Sequence, residues 1–241
     1  AKRLRDEGFE PAPHFAARSI ESAAMFEDYL ARVAGEAGVD HVLAIAGALE
    51  APLGPYSDST QLLDTGLFDK HGIRQIGVAG HPEGSPDMSD QAIADALAWK
   101  NGFKERTDAR LHIVTQFAFE AAPIIAWDKA LRASGNTLPI RVGIPGLAKL
   151  QTLLKYAVAC GVGNSMNFLK KQARNVTKLV KQQEPDQLVR DLAHYGATDP
   201  DCGIEGVHMY PLGGLQKSAD WSFAVTDGAF ELTQKGFRTN A

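Results

Sequence analysis

The apolar run Leu111–Phe119 (LHIVTQFAF) carries the polar pair Thr115-Gln116 near its end. A buried glutamine is conspicuous because its carboxamide needs about four hydrogen-bond partners. The same group donates and accepts, which matches the mixed edge of a pterin or flavin ring. Pairing to a neighbouring strand end explains it equally well on physical grounds. His81 opens a Pro/Gly loop, His81–Pro86, and is a ligand candidate. His14 lies inside the apolar run Ala12–Ala17, where a histidine is more often a satisfied structural residue, and His208 could face either way. No set of His, Cys, Asp and Glu has the converging spacing that zinc requires. No Gly-x-Ser-x-Gly elbow is present either. These two observations argue against metallohydrolase and serine-hydrolase chemistry.

Elements to position such groups follow in a regular order. Ala12–Ala17, His41–Gly47, Arg74–Gly80, Leu111–Phe119, Pro139–Ile144 and Gly203–Tyr210 read as strands. Between them Ser19–Ala37 (with Ser19 as N-cap and Gly38 as stop), Gln61–Lys70, Ser89–Lys104, Pro123–Ser134 and Ala148–Ala159 read as helices. Ser165–Leu192 looks helical with a break near Pro185, and Leu215–Val225 is a closing helix. Alternating strands and helices demand a parallel sheet with right-handed crossovers. An open doubly wound sheet and a barrel both fit. No Gly-x-Gly-x-x-Gly opens a helix, so a dinucleotide-binding fold has no support. A barrel needs eight strands; Gly161–Asn164 is a short seventh candidate, and an eighth would precede Ala1. In either architecture chemistry sits at the carboxyl ends of the strands.

Bulk properties narrow the function classes. The 241 residues are 44% hydrophobic, enough for one large core, so residues 1–241 are expected to form a single domain. A net charge of −4 with interspersed signs is unlike a nucleic-acid binder. Lys170, Lys171, Arg174, Lys178 and Lys181 form a local basic cluster, read as a solvated helix face. Cys160, in an apolar helix, and Cys202 lack metal-like spacing and suit a reducing, cytoplasmic setting. No apolar run of about 18 residues is present, so no membrane span is expected. The composition leaves room for a homo-oligomer.

Several strand ends together resemble the methylenetetrahydrofolate reductase family. Pro13-His14-Phe15 is similar to its Pro-His strand, and His41–Gly47 with Ala48-Leu49 to the strand that usually ends Arg-Gly-Asp-Leu. Val78–Glu83 resembles its Ala-x-x-Pro-Glu strand end, Leu97-x-x-Lys100 a motif of the next helix, and Ile113–Phe119 the Ile-Thr-Gln-Phe-x-Phe signature. Gly143-Ile144-Pro145, Lys155-Tyr156-Ala157 and Gly206–Leu212 follow in order. The resemblance implies a (β/α)₈ TIM-type barrel whose first strand precedes this chain. It also implies reduction of 5,10-methylenetetrahydrofolate to 5-methyltetrahydrofolate with hydride from NADH or NADPH, by way of FAD or directly. By position it implies Gln116, Thr152 and Tyr156 at the folate, and His14, Gly47, Ala79, His81 and Lys100 at the cofactor.

The departures are specific. Arg-Gly-Asp is replaced by Ala46-Gly47-Ala48, and the histidine after Pro-Glu by Ser85. The family's acid would lie on the strand preceding Ala1. Each charge-assisted contact is worth about 1.5–3 kcal/mol, so losing an arginine and a histidine weakens FAD binding by roughly two to four decades. A flavin-free reductase therefore competes with a divergent flavoprotein. Glu50 lies two residues past Ala48 and would share its face if the strand continued, making it a stand-in for the lost aspartate. Two other functions fit the same residues: a non-catalytic folate-binding regulatory protein, and a pterin-dependent methyltransferase.

Overall fold

The computed structural model describes residues 1–159 and 182–239. Contacts divide the chain into two compact units, Ala1–Ala79 with Ala94–Ile113, and Gly80–Ile93 with Val114–Ala241.

In the first unit a short helix α1 (Lys2–Asp6) precedes strand β1 (His14–Ala16) and helix α2 (Ala23–Ala37). The helix starts later than the sequence suggests. Ser19 ends a 3₁₀ turn, and Ser22 is the N-cap, accepting from the Met25 amide at 3.1 Å. Its extended backbone is the conformation that capping needs. Gly38 ends the helix at φ 60, as the sequence indicates. Strand β2 (His41–Ile45) pairs parallel to β1, with Ala16 opposite Ile45. The expected helix Gln61–Lys70 is two helices, α3 (Ser59–Asp64) and α4 (Leu67–Lys70). Gly66 at φ 70 separates them. Strand β3 (Gln75–Gly80) pairs parallel to β2, with Ala44 opposite Val78. Phe15, Phe26 and Phe68 are buried with ring centroids 5.5–5.7 Å apart and edge-on, which welds α2 and α4 to β1.

Helix α5 (Asp90–Phe103) and strand β4 (Arg110–Phe117) begin in one unit and end in the other. β4 is buried on both faces from Leu111 to Thr115, the pattern of a parallel strand covered on both sides. The second unit continues with α6 (Ala121–Ala133), β5 (Ile140–Pro145), a two-residue β6 (Ala148–Lys149) and α7 (Leu150–Ala159). Then follow β7 (Gln182–Gln183), α8 (Asp186–Thr198), β8 (Ile204–Tyr210), α9 (Leu215–Thr226), β9 (Phe230–Leu232) and β10 (Phe237–Thr239).

Six strands form one sheet in the order β1-β2-β3-β4-β5-β8, and they are the six recognisable in the sequence. The order never reverses, so the sheet has no switch point of the doubly wound kind. Neighbouring strands that follow one another in sequence with helices between them are consistent with a TIM-type barrel. The described residues do not close one, because β1 and β8 remain the edges. The break expected near Pro185 is present, since α8 starts after Pro185, but the residues just before it are strand rather than helix: β7 pairs antiparallel with β6. The β9–β10 hairpin carried no sequence expectation. Gly161–Asn164, Cys160 and the basic cluster from Lys170 to Lys181 lie outside the described residues.

Candidate functional site

In the second unit the end of β4 is fixed by an unusual set of bonds. Thr115 is fully buried, and its Oγ1 accepts from the Gly143 amide at 2.8 Å while donating to Gln116 O at 2.7 Å. The Tyr210 hydroxyl, from the end of β8, donates to Thr115 O at 2.9 Å. The Ala118 amide closes the set on Gly143 O at 3.0 Å. Gly143 is required here by space alone. A Cβ on it would fall 2.4 Å from Gln116 O and 2.6 Å from Thr115 O. Gly143→Ala is therefore expected to cost about 2–4 kcal/mol, as a backbone clash with no flexible neighbour to yield. Urea unfolding checks this; a loss under about 0.5 kcal/mol would show that β4 and β5 can separate freely.

With its backbone held, Gln116 points to the face opposite Thr115 and Phe117 by strand alternation. Its Oε1 is buried and has no hydrogen-bond partner among the described residues. An unsatisfied buried acceptor costs about 1–3 kcal/mol, which a ligand N–H would recover. Thr115 was legible in the sequence only as Gln116's neighbour, and Tyr210 only as part of a motif. Their shared grip on one peptide required the fold.

Thr152 and Tyr156 lie on α7, whose buried stripe is Leu150, Leu153 and Ala157. They share a neighbouring helix face at i, i+4, with Tyr156 exposed. A cavity of about 410 Å³ is walled by Phe119, Leu150 and Leu153 and rimmed by Glu120, Glu184 and Asp186. Phe119, Leu150 and Leu153 pack with Phe117, so this cavity belongs to the sheet face that Gln116 turns away from. Gln116 is not among its walls.

The strand ends of the first unit carry the other expected residues. His14 and Ala16 share one face of β1, opposite the buried Phe15. Partial burial pushes the His14 imidazole below its ordinary 6.5, so it is chiefly neutral near pH 7. Gly47 takes φ 94, and a Cβ there would sit 3.1 Å from the Ala16 Cβ. Lys100 on α5 reaches Ala79 O at 3.1 Å and is only 5% exposed. Burial lowers its ammonium from 10.5 to about 8, against an opposing pull from Asp58. Thus the structure brings Ala79 and Lys100 together, and Gly47 and Ala16. His81 starts a turn in the second unit, its carbonyl accepting from Gly84 at 3.1 Å.

The condition attached to Glu50 is not met. β2 ends at Ile45, and the chain turns at Gly47, so strand alternation does not relate Ala48 to Glu50. Arg18 holds the segment that follows, donating to Leu49 O at 2.8 Å and Ser57 O at 2.9 Å. Among the described residues no group of three or more His, Cys, Asp or Glu could hold a metal ion. No described helix is long and apolar enough to cross a membrane.

No family model matches the chain. A stretch of 118 residues, 48% of the chain, is 28% identical to methylenetetrahydrofolate reductase 2 of Saccharomyces cerevisiae. The match takes in 18% of the yeast protein's length. The chain thus spans less than a fifth of the length of the curated relative it matches.

Proposed function

We propose that the chain forms the folate-binding part of a reductase that converts 5,10-methylenetetrahydrofolate to 5-methyltetrahydrofolate with hydride from NADH or NADPH. The observation that carries this reading is the buried Oε1 of Gln116, which has no partner among the described residues, on a strand end held by hydrogen bonds. A pterin offers ring and amino N–H groups to such an acceptor, and the amide's own N–H₂ can return a bond to a ring nitrogen or carbonyl. The partial similarity to the yeast reductase supports the same substrate class.

The reaction needs a proton and a hydride. Cleavage of the bond between the bridging carbon and N10 sends its electron pair to N10, which takes the proton. The N5 iminium so formed accepts hydride at the bridging carbon, and the nicotinamide leaves oxidised. Gln116 would orient the pterin for this transfer.

FAD fits these residues poorly. Ala16, Gly47 and Ala79 carry nothing larger than a methyl group, which suits a planar ring, and Lys100 supplies one cation. A pyrophosphate takes more charge than the one ammonium that these strand ends offer among the described residues, and the Arg18 guanidinium is engaged by Leu49 O and Ser57 O. Hydride transfer directly from the nicotinamide is the reading these residues favour.

The test is nucleotide oxidation by the purified protein with 5,10-methylenetetrahydrofolate, and product formation in the same mixture. Turnover is expected without added flavin. Gln116→Leu should lower kcat/KM by about 10- to 100-fold, the value of one or two buried hydrogen bonds. Folate binding without turnover under any flavin condition would favour the regulatory protein instead. Absence of both would overturn the folate reading.

A further inference from the structure

We infer that Tyr210 is a positioning residue for Gln116, acting through the peptide group between Thr115 and Gln116; this rests on the folate reading above. Tyr210 belongs to β8, and β5 lies between β8 and β4 in the sheet order. Its hydroxyl nevertheless reaches Thr115 O at 2.9 Å. The tyrosine is itself held in place. Its backbone oxygen accepts from Gly146 at 2.7 Å, and its ring packs against Phe117 and His208 at centroid distances of 5.8 and 4.8 Å.

Two carbonyls flank the Gln116 Cα along the chain, and each has a side-chain donor. Thr115 O takes the Tyr210 hydroxyl, and Gln116 O takes the Thr115 hydroxyl at 2.7 Å. Together they set the direction in which Gln116 leaves the strand. This matters because Gln116 Oε1 has no partner among the described residues to aim it. A side chain with two flexible bonds beyond Cβ would otherwise spread over several rotamers, and ordering it on binding would cost affinity. The phenol therefore preorganises an acceptor that it does not touch.

Such an arrangement predicts coupling between two residues that share no contact. Tyr210→Phe keeps the ring packing and removes only the hydroxyl. It is expected to weaken equilibrium binding of 5-methyltetrahydrofolate by about fivefold to tenfold. In the Gln116→Leu background the same change should have no further effect, because there is no amide left to aim. Thr115→Val should weaken binding similarly, and Thr115→Ser, which keeps the hydroxyl, should restore it. Thermal unfolding of each variant separates loss of aim from loss of fold, since a general destabilisation would add to Gln116→Leu instead of vanishing in it. Additive effects, or wild-type affinity in Tyr210→Phe, would overturn the positioning role while leaving the folate reading intact. Wild-type affinity in Gln116→Leu itself would overturn both.

Discussion

Lys100→Met is expected to raise the unfolding free energy of the ligand-free protein by about 2 kcal/mol near neutral pH. Lys100 is 5% exposed, and its ammonium has one hydrogen bond, to Ala79 O. Burial is the main cause of its lowered pKa, from 10.5 to about 8, and Asp58 offsets only part of it. The sign follows from proton counting. Between 8 and 10.5 the unfolded chain holds this proton more tightly than the folded one, so stability from this group rises with pH across that window. Below 8 both states are protonated, and the full cost of burying the charge, about 3 kcal/mol, weighs against folding. Methionine fills similar space without that cost and forfeits one hydrogen bond of about 1 kcal/mol. The advantage of the variant should fade as pH climbs toward 10.5, where wild type carries a neutral amine. Urea unfolding below pH 8 and again at 10.5 measures both ends of the window. A variant less stable than wild type at the lower pH would mean that the ammonium is well compensated in the free protein.

Such a cost gains a purpose if the occupant of this strand end supplies an acceptor to the ammonium. The same variant that folds better should then bind NADH or NADPH more weakly, by about 10-fold or more for a charge-assisted bond. Stability and binding moving in opposite directions is the mark of a functional residue, whereas a structural lysine would lose both together.

The sequence made the sheet legible because each central strand is a short apolar run bounded by glycine, proline or polar residues. Leu111–Thr115 is buried on both faces, so no alternation was needed to find it. Helix boundaries moved where local chemistry outweighed periodicity. Ser19 and Ser22 are both capping residues, and only the 3₁₀ turn after β1 decides between them. Gln61–Lys70 keeps helical spacing through Gly66, yet the left-handed backbone there divides it. The site was legible in part for a similar reason. Gln116 is conspicuous as a polar residue in an apolar strand, but whether its amide is satisfied depends on what faces it in space. The alternation argument for Glu50 stops at the same step, because alternation holds only while the strand lasts, and β2 stops at Ile45. Lys100 shows the reverse case: it has helical spacing with Ile93 and Leu97, yet only the structure reveals that the three are buried together on α5.

Asp128 was overlooked, although Ala121, Ile124 and Asp128 follow one helical stripe and only an expected charge penalty argued against burying it. It is fully buried. Its carboxylate accepts from the Tyr195 hydroxyl at 2.8 Å and the Gly203 amide at 3.1 Å, and pairs with Arg132 Nε at 3.2 Å. The guanidinium in turn donates to Asn136 O and Leu138 O, both at 2.9 Å. One residue thereby ties α6 to α8 and to the approach of β8. A Cβ on Gly203 would displace the Arg132 guanidinium from this network. Burial and the bond to Asp128 together push the Tyr195 phenol far above its ordinary range, so it remains a donor at any pH the fold survives. Asp128→Ala strands the guanidinium, the phenol and an amide at once. The expected loss is about 3–5 kcal/mol, the scale for breaking a buried pair by removing one partner. Tyr195→Phe removes a single donor and should cost about 1–2 kcal/mol, since the carboxylate keeps its other bonds. Replacing Asp128, Arg132 and Tyr195 together by leucine, methionine and phenylalanine should recover part of the loss, because no charged side chain is then left buried without its partner, although the Gly203 amide and the Asn136 and Leu138 carbonyls lose theirs. Chemical unfolding of the three variants gives the order directly. An Asp128→Ala loss below about 1 kcal/mol would mean that water takes the place of the carboxylate and that the second unit does not depend on this network.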